Sequence, residues 1–192
     1  MAKSVSKTRI LVECALMIAL GTVLAQIKIF EMPYGGSVTL VSMLPFVLIS
    51  FRHGLKWGLF TGFVNSLLQM LLGFYAPPAN TVWAFVGMIL LDYVLAFTAL
   101  GGAKWIADFF KNKTVGVAMG TAGVCFIRFL CSFLSGILIW SSYQSYYEWA
   151  KDMPVALYSL LYNGSYMLPE LVLTTVCAVL LYKTAPKLFT AQ

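Results

Sequence analysis

The stretch TVWAFVGMILLDYVLAFTALGGAKWI, residues 81–106, decides the fold class of this chain. It is longer than the roughly 20 apolar residues that cross a bilayer as a helix, and Asp92 is its only acid. Because a charged side chain is costly inside a membrane, an acid in such a run indicates a binding or transport role. The run therefore predicts a membrane-spanning helix that carries a functional carboxylate.

The rest of the chain has the same apolar character. Of its 192 residues, 60% are hydrophobic and 10% are charged, and the mean hydropathy is +0.85. A soluble domain has about 25% charged residues, so this composition excludes one. The length predicts a single transmembrane domain over residues 1–192. Basic cytoplasmic loops account for the net charge of +6, so we expect a lipid bilayer around the chain and no nucleic-acid partner.

Turn residues, adjacent prolines and short basic runs interrupt the apolar sequence at five places. The predicted spans between these breaks lie near residues 9–28, 38–52, 56–74, 81–106, 114–141 and 156–183. The second span is short for a helix that crosses the bilayer. The sequence therefore predicts an all-α membrane protein built as a bundle of six transmembrane helices.

Lysine and arginine concentrate at one end of the predicted spans. If the N-terminus is inside, ten of the thirteen basic residues lie at cytoplasmic ends, two lie outside and Arg128 lies within a span. Cytoplasmic loops are enriched in these residues. We therefore expect a multi-pass protein of the cell (plasma) membrane with both termini in the cytoplasm.

Polar side chains in the last three spans fall at one depth. Asp92, Ser132 and Asn163 each lie about ten residues from the outer end of their span, which at about 1.5 Å of rise per residue puts them in one layer. Trp140 and Tyr158 lie nearer the outer surface. Together these groups predict a pocket that opens outward and takes a cation or a flat heterocycle. Alternatively, they only hydrogen-bond neighbouring helices.

Other ionisable residues in the spans have structural interpretations. Arg128 and Glu170 lie too deep to reach water easily, so we expect them to pair with each other. Glu170 also lies two helical turns beyond Asn163, which leaves a place at the pocket floor open to it. Glu13 is expected to form a local ion pair with Arg9 at i,i+4.

The first span carries Ala15 and Ala19 four residues apart, a spacing that lets another helix pack closely and predicts a docking surface for a partner subunit. The chain has no GxxxxGK[ST], HExxH or GxSxG motif. Its single histidine, His53, is expected in an exposed turn, and its four cysteines are expected to pack among apolar residues. We therefore expect no enzyme activity, no cofactor and no metal site.

Several segments together resemble the thiamine-specific substrate-binding subunits, or S-components, of energy-coupling factor (ECF) transporters. The likeness covers nearly the whole chain and lies in the order and spacing of Ala15–Ala19, Met32–Val38, Leu48–Gly54, Leu91–Tyr93, Ser135–Trp140, Leu157–Asn163 and Thr184–Leu188. The resemblance implies a six-helix subunit that binds a vitamin from outside with high affinity. It also implies a transmembrane coupling subunit and two ATPase subunits as partners, and a bacterial source.

The resemblance further implies which residues contact the vitamin. The acid and tyrosine of the family's fourth helix match Asp92 and Tyr93, and the tryptophan of its fifth helix matches Trp140. The tyrosine and asparagine of its sixth helix match Tyr158 and Asn163. Thiamine suits such a set, because a carboxylate can accept from its amine or balance its cation, an amide can pair with ring nitrogens, and aromatic rings can stack.

Three positions depart from the family. At Asp92 the acid is one methylene shorter than the Glu of some relatives. Ser132 stands where the family usually has a histidine, and Tyr34 beside Gly35-Gly36 stands where some members have a tryptophan. A smaller side chain at Ser132 enlarges the pocket and removes a ring contact. The resemblance predicts thiamine as the ligand. Because of the change at Ser132, a pyridoxine-type compound and hydroxymethylpyrimidine are kept as alternatives.

Two functions of other classes fit fewer features. An ion-coupled secondary carrier would use Asp92 or Glu170 as its coupling acid, but the chain is small and lacks inverted repeats with broken helices. A membrane enzyme or scaffold has no supporting motif.

Overall fold

Long apolar helices make up most of the chain. The computed structural model describes residues 6–33, 35–79 and 81–190. Within these ranges the helices are α1 Lys7–Gln26, α2 Leu44–His53, α3 Leu55–Leu72, α4 Val82–Ala107, α5 Lys113–Leu138 and α6 Val155–Thr184. Two short 3₁₀ helices follow α5 and α6, at Ser141–Tyr146 and Pro186–Phe189.

In the part of the chain that the structure describes, the four helices α1, α4, α5 and α6 are long and apolar enough to cross a membrane. The α2 helix has 10 residues, and α3 has 18 residues with Asn65 buried among them. Large apolar side chains point outward, and Leu71 and Trp83 are more than four-fifths exposed at 81% and 85%. An outer surface of this kind suits the hydrocarbon of a bilayer, where helices satisfy their own backbone groups.

The predicted spans agree with the observed helices except at the second span. A two-stranded antiparallel hairpin, β1 Lys28–Glu31 and β2 Ser37–Thr39, lies between α1 and α2. The all-α prediction is therefore wrong in this connection, and the predicted span 38–52 starts too early. The apolar residues after Ser37 pair with β1 through their main chain, so the helix begins only at Leu44.

Small residues bring the α3 and α4 helices into close contact. A Cβ atom added to Gly58 or to Gly101 would overlap the backbone of the other glycine. At the same level α4 tightens into a 3₁₀ turn, and Ser50 of α2 supports it: its Oγ donates to the Gly101 carbonyl at 2.5 Å and accepts from the Lys104 N–H at 3.0 Å. This packing fixes the C-terminal half of α4 against α2 and α3.

The predicted cytoplasmic end contains a cluster of charged side chains, Glu13, Arg9, Arg52 and His53, which we call the Glu13 cluster. The expected Arg9–Glu13 pair is present at 3.2 Å. Glu13 also accepts from Arg52 Nε at 2.5 Å and contacts His53 Nε2 at 2.7 Å. The prediction of an exposed His53 is wrong, because its side chain is 2% exposed and lies against Glu13.

Candidate functional site

A cavity of about 380 Å³ lies among the six helices α1 to α6 and the hairpin. This volume lies in the range that encloses a small-molecule ligand. The six predicted site residues within the described ranges all line it: Asp92, Tyr93, Ser132, Trp140, Tyr158 and Asn163. Tyr34, also predicted, lies outside the described residues. The depth argument and the family resemblance together therefore selected side chains that the fold brings together.

Asp92 lines the cavity, and the hydrogen bonds that it receives from the described residues all go to one carboxylate oxygen. Its Oδ2 accepts from Ser135 Oγ at 2.7 Å and from Trp140 Nε1 at 2.9 Å. Among the described residues, Oδ1 has no donor and no basic side chain lies within 4 Å of the carboxylate. Since both donors are neutral, the negative charge is fixed in place but not balanced. Such a group favours a cation or an N–H donor.

Asp92 and Tyr93 are consecutive and both line the cavity, in a stretch where α4 widens into a π-helix at Ile89–Leu95. Tyr93 turns toward the end of α3, where its hydroxyl donates to the Gly73 carbonyl at 2.8 Å and accepts from the Tyr75 N–H at 3.3 Å. Wide turns of this kind often occur at functional sites. Here the turn directs one side chain to α5 and the next to α3.

Asn163 is oriented by three partners on its own helix. Its Nδ2 donates to the Ser159 carbonyl at 3.0 Å and to Ser159 Oγ at 3.2 Å, while its Oδ1 accepts from the Tyr166 hydroxyl at 2.7 Å. Both amide hydrogens are engaged, so the group still available to a ligand is a lone pair on Oδ1. Asn163 therefore offers an acceptor, not the donor that pairing with a ring nitrogen requires.

Aromatic rings form much of the cavity wall on the side of α5 and α6. Trp140 packs on Tyr143 with ring centroids 5.6 Å apart, and Tyr158 packs on Tyr162 at 5.7 Å. Tyr166 continues this row along α6, at 6.3 Å from Tyr162. Rings at these spacings provide flat apolar faces for a heterocycle and negative π-faces for a cation.

Small side chains keep the space between α5 and α6 open. Ser132 and Gly136, one turn apart on α5, both line the cavity. A Cβ atom at Gly136 would lie 2.9 Å from Asn163 Nδ2 and would also collide with Ser159 Oγ. Any larger residue at Gly136 would displace Ser159 and Asn163 and narrow the space between α5 and α6.

Comparison with known proteins agrees with this arrangement. The sequence model of the family described as Thiamine transporter protein (Thia_YuaJ) matches residues 11–190. The chain belongs to this family. It is therefore a multi-pass membrane transporter with bacterial relatives and not an enzyme.

Two curated relatives and one solved structure show how far the likeness extends. Thiamine transporter ThiT of Bacillus subtilis is 33% identical over 93% of this chain and 92% of its own length. ThiT of Lacticaseibacillus paracasei is 28% identical over 86% and 80%. The fold is similar to a solved structure of ThiT from Listeria monocytogenes, with a TM-score of 0.75 at 23% identity over 96% of this chain and 98% of that one. The resemblance read from the sequence is thereby confirmed at the level of the family.

The predicted Arg128–Glu170 pair is wrong for this member of the thiamine transporter family. Glu170 accepts from Thr39 of the hairpin, and the Arg128 guanidinium lies over the Phe97 ring, 4.4 Å from its centroid. Neither side chain has an oppositely charged group within 4 Å among the described residues. Both side chains line the cavity. Glu170 therefore takes the alternative place, at the pocket, that the sequence analysis also allowed.

Sequence reasoning missed several residues of the site. Ser135, Gly136, Tyr162 and Tyr166 line or support the cavity, and none was proposed for it. The position of Ser135 could have been predicted, because it lies three residues after Ser132 and hence on the same helix face. The contacts of the hairpin with α6 could not, since they join residues more than 120 positions apart. The described residues contain no group of three or more metal-binding side chains.

Proposed function

We propose that this chain is the high-affinity thiamine-binding subunit of an ECF-type transporter. The observation that carries the proposal is the free Oδ1 of Asp92, an unbalanced carboxylate oxygen in an aromatic-walled cavity. Membership of the thiamine transporter family supplies the ligand that this chemistry fits.

Thiamine combines an aminopyrimidine, a positively charged thiazolium and a hydroxyethyl tail. The amine offers N–H donors, which suit the acceptors Asp92 Oδ1 and Asn163 Oδ1. Trp140 and the tyrosines beside it can stack on the flat rings or face the cation. The negative charge of Asp92 favours a cation over a neutral vitamin of the same size. Ser132, on α5, remains part of this proposed site. Tyr34 is also retained in the proposal, from the sequence alone.

Membrane topology follows from the same proposal. The chain forms one domain, residues 1–192, that crosses the membrane six times with both termini in the cytoplasm. The asymmetry of lysine and arginine supports this orientation. The cavity then opens to the outside, and the Glu13 cluster lies at the cytoplasmic end.

Transport requires partners, because the sequence has no phosphate-binding loop for ATP. The proposed partners are a transmembrane coupling subunit and two ATPase subunits. Ala15 and Ala19 are exposed on α1 between Leu11, Leu16 and Leu20, which are also exposed. This surface can receive a helix of the coupling subunit. Ala15→Trp or Ala19→Trp should abolish thiamine uptake while thiamine binding persists; loss of both would contradict a docking role.

The ligand is tested by titrating the purified chain in detergent with thiamine, hydroxymethylpyrimidine and pyridoxine, following tryptophan fluorescence. Thiamine should quench Trp140 saturably at submicromolar concentration, and Asp92→Ala should remove the response. A response to pyridoxine or hydroxymethylpyrimidine alone would keep the vitamin-binding function and replace the ligand. No fluorescence change with any of the three compounds would contradict the proposal and favour an ion-coupled carrier.

A further inference from the structure

The Asn163 amide belongs to a chain of hydrogen bonds whose direction is fixed by backbone carbonyls. The Ser159 carbonyl can only accept, so the group of Asn163 that lies 3.0 Å from it is the NH₂. Nδ2 also donates to Ser159 Oγ at 3.2 Å, and that hydroxyl donates onward to the Phe133 carbonyl of α5 at 2.7 Å. The amide oxygen of Asn163 therefore points away from Ser159.

Tyr166 supplies the first bond of this chain. Its hydroxyl donates to Asn163 Oδ1 at 2.7 Å, and Oδ1 carries no hydrogen, so it can only accept. Both side chains are buried and both line the cavity, so bulk water competes little for either group. An amide that is bonded at its oxygen and at its nitrogen inside a bundle keeps a single orientation.

The ring of Tyr166 has little freedom to move. It packs edge-to-face on Tyr162, with ring centroids 6.3 Å apart and 81° between the ring planes. The backbone of Gly36 also lies against the ring, since a Cβ atom there would be 2.5 Å from Tyr166 Cε1. The hydroxyl therefore stays where Asn163 can accept from it.

We propose that Tyr166 is a positioning residue for ligand specificity, which makes the site select a ring with an exocyclic amine over the same ring with a carbonyl. It does so by keeping the oxygen of Asn163, and not its NH₂, available to the ligand. An amine donates to this oxygen, whereas a carbonyl in its place would face it acceptor to acceptor. This inference rests on the proposed thiamine-binding function, which supplies the aminopyrimidine.

The test compares the affinities of the purified full chain for thiamine and for oxythiamine, in which a carbonyl oxygen replaces the amine. Tryptophan-fluorescence titration should show that the unsubstituted protein prefers thiamine roughly a hundredfold. Tyr166→Phe keeps the ring and removes the donor, so the preference should fall to roughly tenfold, mainly through weaker thiamine binding. Ser159→Ala removes one partner of Nδ2 and should lower the preference by less. Tyr182→Phe, on α6 away from the cavity lining, is the matched control and should change neither affinity.

A double-mutant cycle separates positioning from a direct contact with the ligand. Asn163→Leu removes the amide and should abolish most of the preference, and adding Tyr166→Phe should then change the ratio of affinities by less than about twofold. If Tyr166→Phe lowers the ratio equally with and without Asn163, the tyrosine contacts the ligand itself and the positioning role is overturned. An unchanged ratio in Tyr166→Phe, with only a lower melting temperature, overturns it too.

The side-chain amide of Asn163 can also be followed without ligand, by NMR of protein that contains isotope-labelled asparagine. The variant Asn163→Leu identifies its signals. The two amide hydrogens should exchange slowly with solvent in the unsubstituted protein and several-fold faster in Tyr166→Phe. Equal exchange rates in the two proteins would contradict the positioning role. Failure of the unsubstituted protein to bind either compound would instead contradict the proposed function, and the exchange rates would still decide the role of Tyr166.

Discussion

Two carboxylates in this bundle, Asp92 in the cavity and Glu13 at the opposite end, differ in the charge of the groups that contact them. Glu13 is surrounded by basic groups: Arg9 at 3.2 Å, Arg52 at 2.5 Å and His53 at 2.7 Å. Asp92 receives hydrogen bonds from two neutral donors, and both go to one oxygen. The first carboxylate is balanced within the protein and the second is not.

The difference separates a structural carboxylate from the proposed binding one. The Glu13 cluster ties α1 to α2, and Arg52 continues it by donating to the carbonyls of Lys187 and Thr190 at 3.2 and 3.0 Å. The charges of the Glu13 cluster are paired with one another and hold helix ends together. Ser135 and Trp140 fix the position of Asp92 without cancelling its charge, so attraction for an incoming cation is retained. Between these two acids, the charge of the partners marks the difference.

The largest expected effect is on thiamine affinity in Asp92→Asn. Ser135 and Trp140 both donate to one position, so they will hold the amide oxygen there and turn the NH₂ group toward the ligand. A donor then replaces an acceptor and the charge is lost, which should cost about 3 kcal/mol, or roughly a hundredfold in affinity. Isothermal titration calorimetry measures this change.

Asp92→Glu is the matched control, because it retains the charge and lengthens the side chain by one methylene. It should lose far less affinity than Asp92→Asn. Equal losses in the two variants would show that shape, not charge, determines binding at this position.

The second effect, on stability, is expected in Glu13→Gln. This variant leaves Arg52 and His53 without their carboxylate and should cost about 2 kcal/mol of unfolding free energy. For a chain of this size that corresponds to a melting temperature lower by about 4–8 °C. Thiamine affinity should stay the same. The comparison would fail if Glu13→Gln weakened binding as strongly as Asp92→Asn.

An exposed pair provides the control for that measurement. Lys104 and Asp108 form an i,i+4 ion pair at 2.7 Å with Asp108 64% exposed. Asp108→Asn should therefore change stability by about 0.5 kcal/mol or less.

A smaller effect on thiamine affinity than that of Asp92→Asn is expected in Ser135→Ala. Trp140 still donates to Asp92 in this variant, but one of the two bonds that orient the carboxylate is gone. The loss should be about 1 kcal/mol of binding free energy, or roughly fivefold in affinity. Ser135→Thr keeps the hydroxyl and serves as the control in the same titration. Tenfold or greater loss in both variants would indicate that packing at Ser135, not its hydrogen bond, matters.

The helices could be predicted from the sequence because each apolar run is long and ends at turn residues or charges. The layer of Asp92, Ser132 and Asn163 could also be predicted, since helix rise alone converts residue number into depth. The π-helix at Ile89–Leu95 could not, because no residue type marks it. Nor could the orientation of the Asn163 amide, which depends on Ser159 and Tyr166 acting together.

The hairpin shows why the remaining features were missed. Its strands have four and three residues, too short for an alternating pattern to be recognised next to an apolar helix. The Arg128–Glu170 pairing was inferred from depth and opposite charge. The fold instead brings Thr39 to Glu170, and two hydrogen bonds from one residue satisfy that carboxylate. Charge alone does not identify partners when a distant backbone segment can supply donors.

A structure of the thiamine-bound protein tests the central claim most directly, through the distance from Asp92 Oδ1 to the ligand. A thiamine nitrogen should lie about 2.7–3.2 Å from Oδ1, while Oδ2 keeps its bonds to Ser135 and Trp140. Thiamine bound away from Asp92, or seated against Glu170 with Asp92 Oδ1 still unoccupied, would contradict the account.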